Sequence, residues 1–465
     1  MADYDLVVLG GGTGNLVAAA GAESGLDVAL VERGPLGGTC LNRGCNPSKK
    51  LIHRANVAET VRHAEDVGID ATLDDVAFAE IVQGVTDVIT EAAEAKAERA
   101  RELDGLDFYH CEGRFVDERT VEVDGDGARF TGGTVVLAGG SRPMIPDAID
   151  GTDGTAFLTS DDALRLEECP DRLVVVGGGY IAAEMAHFFS QMGAEVAIVG
   201  RGEMLVDRED PDVAERFTEV YREKHALHLG FSAQAIEETD DGERVVVAES
   251  EDGEEIEVTG DRLLLATGRR PNTDLWNVEA AGIETDDAGF VETDEYLRTS
   301  SDGVYAIGDI AGNYMFKHSG DEEASYVVEH LVHGEGPPEE PISYPGMAHA
   351  IFGSPQIGSL GETEDDLDDD VDYAVGTYAY DETALGEALR DEGGFAKVLV
   401  GEDGEVLGCH VIGPEASTLV HEVATAIAAG ADAETIARTI HVHPALSEVV
   451  QGAFREVCDV APDGI

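Results

Sequence analysis

The strongest constraint on this chain is a pattern that it uses twice. Asp5-Leu6-Val7-Val8-Leu9-Gly10-Gly11-Gly12-Thr13-Gly14-Asn15 runs through an alanine-rich stretch into Val28-Ala29-Leu30-Val31-Glu32. Far downstream, Arg172-Leu173-Val174-Val175-Val176-Gly177-Gly178-Gly179-Tyr180-Ile181-Ala182 runs into Glu195-Val196-Ala197-Ile198-Val199-Gly200-Arg201. Each reads as a buried strand, a glycine turn, a helix and a second strand. Glycines at Gly10 and Gly12, and again at Gly177 and Gly179, let the backbone turn tightly and approach a pyrophosphate. The helix N-terminus then offers free N–H groups and a positive dipole. The expectation is an α/β chain with two doubly wound, dinucleotide-binding units.

The two units differ where their second strands end. Glu32 stands twenty residues after Gly12, where a carboxylate can accept hydrogen bonds from an adenosine ribose. The second unit has Gly200-Arg201 there and no acid. A guanidinium at that place suits a 2′-phosphate, so the second unit should prefer NADPH to NADH.

At ~100–200 residues per domain, 465 residues make about three domains. A hydrophobic fraction of 43% is ordinary for a folded protein. The charge is not: 96 acidic residues face 30 basic ones, six of them lysines, for a net charge of −66. Acid recurs along the whole chain, as at Asp286-Asp287, Asp321-Glu322-Glu323 and Glu364-Asp365-Asp366. Even spreading suggests an acidic, solvent-facing shell over a normal core. Self-repulsion of this size destabilises a compact state unless salt screens it. The composition therefore points to a cytoplasm of multimolar salt, as in salt-loving archaea. Nucleic acid and anionic membranes are poor partners for such a field. Met1-Ala2-Asp3-Tyr4 leads directly into the short run Leu6–Leu9. That run lacks the length of a membrane span and the basic flank of a signal peptide, so a cytoplasmic location is expected. Six cysteines in so long a chain make no disulfide scaffold, and a close pair in a reducing compartment reads as catalytic or metal-binding.

One pair is close: Gly37-Gly38-Thr39-Cys40-Leu41-Asn42-Arg43-Gly44-Cys45-Asn46-Pro47-Ser48-Lys49. The spacing is wrong for a C-x-x-C metal knuckle, and no metal is expected. On one regular helix the Cα atoms would lie ~8 Å apart, beyond the ~7 Å that a disulfide spans. The turn must therefore be distorted, and Gly44 permits that. A bond in so small a loop should be easily reduced, and a helix N-terminus would stabilise the released thiolate.

This segment resembles the redox motif of the class I pyridine nucleotide-disulfide oxidoreductases. The likeness continues along the chain. Gly113-Arg114-Phe115 is similar to an adenine-side FAD segment. Ala266-Thr267-Gly268-Arg269-Arg270-Pro271-Asn272 is similar to the second Ala-Thr-Gly motif. Thr299 through Gly308-Asp309 resembles the second FAD motif, and His441-Val442-His443-Pro444-Ala445-Leu446-Ser447-Glu448 the C-terminal His-Pro motif.

The resemblance implies two Rossmann-like domains plus a C-terminal α+β dimerisation domain. FAD would bind in 1–148 and 271–338, NAD(P)H in 149–270, and 339–465 would form the dimer. It implies FAD held by Gly10, Gly12, Glu32, Gly38, Thr39, Lys49, Gly113 and Asp309. NADPH would bind at Gly177, Gly179, Arg201 and Gly268. Cys40 would attack the substrate disulfide and Cys45 would face the flavin. Lys49 and Glu184 would pair beside the ring, and Tyr180 would cover the nicotinamide pocket. His443, oriented by Glu448, would be the acid/base for the other subunit of a homodimer. Cys111, Cys169, Cys409 and Cys458 read as ordinary thiols, and Ile81, Val85, Val88 and Ile89 as packing within a long helical stretch, 76–104.

Within the family, Asn15, Phe316-Lys317-His318-Ser319-Gly320-Asp321-Glu322-Glu323-Ala324 and Ala183–Ser190 resemble mycothione reductases most. A low-mass thiol disulfide is the implied substrate. For a salt-loving archaeon, whose small thiol is γ-glutamylcysteine, the implied resemblance is to a bis-γ-glutamylcystine reductase, which forms two γ-glutamylcysteines. The carboxylates of that disulfide call for cations, and Arg43, His53 and Arg54 are candidates. Competing readings are an NAD-linked dihydrolipoyl dehydrogenase, then a mercuric reductase, then a flavin-bound redox sensor without turnover. Asn15 in place of Gly, and Ala138-Gly139-Gly140 in place of Ala-Thr-Gly, depart from the family pattern.

Salt dependence of this kind has a direct check. The folded protein should lose its circular dichroism as salt is dialysed away; stability unchanged at low ionic strength would refute salt dependence.

Overall fold

In the computed structural model, which describes residues 3–124, 127–334, 340–368, 370–390 and 393–461, both repeats fold as expected. Strand Tyr4–Leu9 pairs in parallel with Val28–Val31 on one side and Arg129–Leu137 on the other. Leu106–Tyr109 and Val304–Ala306 extend the same sheet. The alternating positions of these strands enter two different cores, which is why the sequence shows apolar runs and no polar alternation. Leu6, Val8 and Leu30 pack with Val17 and Ala18 of helix Gly14–Glu23. Val7, Leu9, Ala29 and Val31 pack with Phe115, Val121 and Trp276. On that second face lies an antiparallel layer, Gly113–Asp117 and Thr120–Val123, which runs into the start of Arg129–Leu137.

The second repeat copies this plan. Ala226–Leu229, Glu195–Gly200, Arg172–Val176 and Arg262–Leu265 form a parallel sheet in that order. Leu173 and Val175 face helix Tyr180–Met192, while Val174 and Val176 face the antiparallel strands Phe231–Glu238, Arg244–Ser250 and Glu255–Gly260. The turn glycines are required on steric grounds. A Cβ on Gly10 (φ +104°) would stand 2.1 Å from the Ala138 carbonyl oxygen, and one on Gly177 (φ +127°) 2.3 Å from that of Ala266. The two departures from the family pattern fit this frame. Gly14, not Asn15, packs closely on Val8 and Ala138, so Asn15 stays half-exposed. The Gly139 carbonyl accepts hydrogen bonds from Asn272 and Trp276.

The C-terminal part is a five-stranded antiparallel sheet, ordered Ala348–Ile351, Gln356–Gly361, Val406–Gly413, Phe395–Gly401, Tyr373–Ala379. Helices Ala416–Ala428 and Glu448–Val457 cover it through Val420, Val423, Val450 and Phe454. The boundary anticipated between 338 and 339 lies outside the described residues.

Two expectations need correction. The long helix runs Phe78–Glu102 and buries Phe78, Val82, Val85, Ile89 and Ala93, but Val88 is 49% exposed. Val88 lies off the stripe that Val85 and Ile89 continue, so it faces outward. Nor is every acidic cluster solvent-facing. Glu323 is fully buried, accepting from the Gly308 N–H and the Tyr344 hydroxyl. Glu364 reaches Lys397, which is itself buried with Asp210.

That last group joins the second unit to the C-terminal sheet. Lys397 Nζ lies 2.8 Å from Asp210 and 2.6 Å from Asp212, at the start of helix Pro211–Lys224. Removing the cation strands a buried carboxylate. Lys397→Ala should therefore cost about 3–5 kcal/mol in equilibrium unfolding at constant high salt. A change below about 1 kcal/mol would show that the cluster carries no such load.

Candidate active site

The two cysteines lie on different helices. Cys40 belongs to the short helix Gly38–Arg43, and Cys45 is the first residue of helix Cys45–Arg62, with Gly44 between them. A Cβ on Gly44 would sit 3.0 Å from the Thr39 carbonyl oxygen and 3.3 Å from the Cys40 Cα, so the break fits glycine best. Asn42, buried, ties the short helix to the preceding loop by donating to the carbonyls of Pro35 and Gly38, both at 3.0 Å. Sequence reasoning passed over Asn42, since its polar side chain looks solvent-facing until the loop folds over it.

Both cysteines are thiols here, and their side chains hydrogen-bond to each other. The hydrogen bond from Cys40, then Lys49 and the Cys45 backbone N–H, outweigh desolvation and bring Cys45 down to about 6. Cys40 moves the other way, raised chiefly by its hydrogen bond to Cys45 and by burial. One proton is thus shared unequally, leaving Cys45 as the thiolate near neutral pH.

Lys49 stands one turn after Cys45 and bonds both carboxylate oxygens of Glu184 at 2.7 Å. Glu184, 4% exposed on helix Tyr180–Met192, also accepts the Phe352 N–H at 3.0 Å. The Phe352 ring lies 4.8 Å from Lys49 Nζ. Phe352 was another omission; nothing in its local sequence marks it, because its part is played by backbone.

These residues line one cavity of about 2020 Å³. Of the anticipated residues, Gly12, Glu32, Gly38, Thr39, Cys40, Arg43, Cys45, Lys49, Gly113, Tyr180, Glu184 and Asp309 lie on its wall, as do His53 and Arg54, both exposed. Gly10 is buried behind that wall. Gly177, Gly179, Arg201 and Gly268 belong to the second unit and do not line it; Arg201 is exposed just past strand Glu195–Gly200. Tyr180 is 41% exposed, and desolvation holds its phenol above the usual range. His443 also lies away from the cavity. Its Nδ1 is 2.9 Å from Glu448 Oε1, its side chain is 69% exposed, and Ile440 and Val442 beside it are 93% and 75% exposed. Burial works to raise Glu448, but the Ala445 N–H and His443 together hold it below the ordinary carboxylate range.

The wall fits a flavin dinucleotide. A Cβ on Gly38 would lie 2.5 Å from the Gly12 Cα, so only bare backbone can form this part of the turn. The Glu32 carboxylate is fixed by the N–H groups of Gly11 and Gly34, each at 2.7 Å. Asp309 accepts from Ser141 at 2.5 Å. Charge is redistributed as well. Among the described residues, ten lysines and arginines line the cavity against ten acids, in a chain of thirty and ninety-six. No group of side chains suited to a metal ion occurs among the described residues.

Two dinucleotide-type units joined to a dithiol beside a lysine–glutamate pair define a nucleotide-dependent thiol–disulfide oxidoreductase. Residues 4–324 match the pyridine nucleotide-disulphide oxidoreductase model, and 347–454 match the dimerisation domain of the same group. Mycothione reductase of Mycobacterium tuberculosis is 36% identical over 463 residues, covering 98% of this chain and 99% of that protein. Dihydrolipoyl dehydrogenase of Haloferax volcanii is also 36% identical, covering 97% and 95%. Among solved structures, the Cu(II) complex of the HOCl-induced flavoprotein disulfide reductase of Escherichia coli superposes with a TM-score of 0.85. It is 25% identical, with 98% of this chain and all of that chain covered. The chain belongs to the FAD-dependent pyridine nucleotide-disulfide oxidoreductases, enzymes that act on disulfide substrates.

The Lys49 charge is one of the features that favour the Cys45 thiolate, and this can be tested. On a Cys40→Ser background, Lys49→Met should raise the Cys45 pKa by about one unit. The ultraviolet thiolate absorbance of the reduced protein, followed against pH, measures it. Coincident titrations would remove Lys49 from that role.

Proposed function

We propose that this enzyme uses NADPH to reduce the disulfide of a low-mass, carboxylate-rich thiol, with bis-γ-glutamylcystine giving two γ-glutamylcysteines. The observation that carries the reading is the charge of the cavity. In a chain with three acids for every base, a wall where cations equal acids is built for an anionic ligand. FAD and NADPH account for part of that charge. The cations Arg43 and Arg54, with the imidazole of His53, line the cavity and are the groups offered to substrate carboxylates. Arg43 is half-exposed and 3.7 Å from Asp161, a loose pairing that leaves its guanidinium free to turn. The full-length likeness to a mycothione reductase supports a small thiol disulfide.

FAD, held at Gly10, Gly12, Glu32, Gly38, Thr39, Lys49, Gly113 and Asp309, supplies the two-electron link between nicotinamide and disulfide. The chain's own groups do the rest. Arg201, with Gly177, Gly179 and Gly268, binds NADPH, and Tyr180 covers the nicotinamide pocket. Cys45 faces the flavin and Cys40 exchanges with the substrate. His443, oriented by Glu448, gives its proton to the departing thiolate. Because His443 stands exposed among apolar residues and off the cavity, it serves a second copy in a homodimer. In this reading 1–148 and 271–338 bind FAD, 149–270 bind NADPH, 339–465 form the dimer, and the enzyme works in the cytoplasm. The described residues contain no helix long and apolar enough to cross a membrane.

One alternative has an observation behind it. The likeness to the Haloferax volcanii dihydrolipoyl dehydrogenase is equally strong, so lipoamide with NAD is the second reading. A panel at high salt separates the two: bis-γ-glutamylcystine, lipoamide, glutathione disulfide and Hg²⁺, each with NADPH and NADH. The expected result is the highest kcat/KM for bis-γ-glutamylcystine with NADPH; lipoamide with NADH outpacing it would refute the proposal. Arg201→Glu should raise the NADPH KM by about tenfold or more while leaving that for NADH within about twofold. Equal effects on both cofactors would remove Arg201 from the 2′-phosphate.

A further inference from the structure

Between helix Ala433–Arg438 and helix Glu448–Val457 the chain crosses the surface as a loop. From Arg438 to Pro444 every residue is exposed except His441, whose side chain is 7% exposed. Ile440 and Val442, on either side of it, face outward. His441 is thus the one side chain of this stretch that turns inward, two positions before His443. The far end of the stretch is held by Glu448, which accepts the Ala445 N–H at 2.9 Å and pairs with His443 Nδ1.

Both ring nitrogens of His441 meet acceptors. Nε2 lies 3.0 Å from Glu422 Oε2, on helix Ala416–Ala428, and Nδ1 lies 2.9 Å from the Thr439 carbonyl oxygen. A neutral imidazole has one N–H and can satisfy only one of them. The geometry therefore calls for one more proton than a neutral ring supplies. Imidazole is more basic than a carboxylate by about two units, so that proton belongs on the ring. The second oxygen of Glu422, Oε1, is buried without a hydrogen bond, which makes the imidazolium the partner that compensates this carboxylate. The Glu422 hydrogen bond lifts His441 above the ordinary imidazole range, although burial and the Arg455 charge from helix Glu448–Val457 work against it. Glu448, at the start of that helix, in turn feels the charge of His441. The Thr439 carbonyl also accepts from the buried Gln451 side chain at 2.6 Å, so the loop, the two helices and the ring form one brace.

We propose that His441, kept as an imidazolium between Glu422 and the Thr439 carbonyl, is the positioning residue that sets the loop presenting His443. The inference rests on the reading of His443 as the acid/base of the disulfide step. His441 touches neither substrate nor flavin in this role and keeps its proton during turnover. It acts by fixing where the backbone runs just before His443. The brace is complete while both N–H groups are present. As the pH rises through the raised midpoint of His441, one proton passes to solvent, and a ring lone pair then faces either a carboxylate or a carbonyl oxygen. The contribution of the brace is therefore full below the ordinary imidazole range and is lost on the alkaline side.

The test uses the FAD-loaded enzyme at constant high salt and has two readouts. The first is the fall of kcat at alkaline pH, measured with NADPH and bis-γ-glutamylcystine and with NADH and lipoamide. Glu422→Gln keeps an acceptor but removes the charge. It should move that fall to lower pH by about one unit, with the KM for the disulfide within about twofold. His441→Gln should lower kcat by about tenfold, and adding Glu422→Gln to it should move the fall no further. The second readout is carbon-13 NMR of labelled histidine. The signal missing from His441→Gln should titrate above the ordinary imidazole range and move down in Glu422→Gln. If His441→Gln does not fold, the signal that moves in Glu422→Gln identifies His441, and that variant alone decides. An alkaline fall left in place by Glu422→Gln overturns the inference, as does a His441 signal at or below the ordinary range; both leave His443 as the acid/base. Native turnover in His443→Gln would sink the reading of His443 and the inference with it.

Discussion

Three separate parts of the chain meet at one carboxylate. Glu184 comes from the second nucleotide unit, Lys49 from the helix that Cys45 begins, and the Phe352 N–H from beyond the first strand of the C-terminal sheet. Glu184 is nearly inaccessible and pairs with Lys49, so losing either partner leaves the other without its counter-charge. Because Lys49 stands four residues after Cys45, the pair also fixes which way that helix faces. The geometry of the redox site is therefore a consequence of how the units pack and not a property of the cysteine loop alone.

The extreme acidity of the chain makes this packing more demanding. Each cation placed inside is one that cannot screen the surface, yet Lys397 is buried among three carboxylates and a third of all basic residues border the cavity. Interior cations lock the units together; cavity cations create a local field opposed to that of the whole molecule. Long-range repulsion falls away within about 10 Å at moderate ionic strength and faster at high salt. Inside a shielded cavity the local charges are screened far less. High salt would thus weaken the general field more than the pairs that form the site.

The glycine turns, the strand-helix-strand repeats and the break at Gly44 were legible because each follows from local sterics. Gly10 and Gly177 meet the same carbonyl in their respective units, as a repeated sequence demands. The pairing of His443 with Glu448 was implied by the resemblance of the His-Pro segment and not by sterics, and the contact is present across five positions. What could not be read were contacts set by tertiary packing: the Phe352 N–H on Glu184, the enclosure of Asn42, and the burial of Glu323 beneath Gly308. Val88 shows the converse case. It is as apolar as its neighbours, but the helix rotates it outward, and only the position of the partner elements decides that.

The separation of the cysteines onto two helices explains why they stand five positions apart. Two cysteines on one short turn share one electrostatic environment and differ mainly in exposure. Here Gly44 lets each helix take its own anchors: Asn42 and the loop before it for Cys40, Lys49 and Glu184 for Cys45. The sulfurs remain close enough to share a proton, yet one is pulled toward the thiolate and the other away from it. A dithiol with two unlike halves has a direction built in. In the proposed reading Cys45 is the sulfur that stays ionised, and Cys40, less acidic, is intrinsically the stronger nucleophile once it has lost its proton.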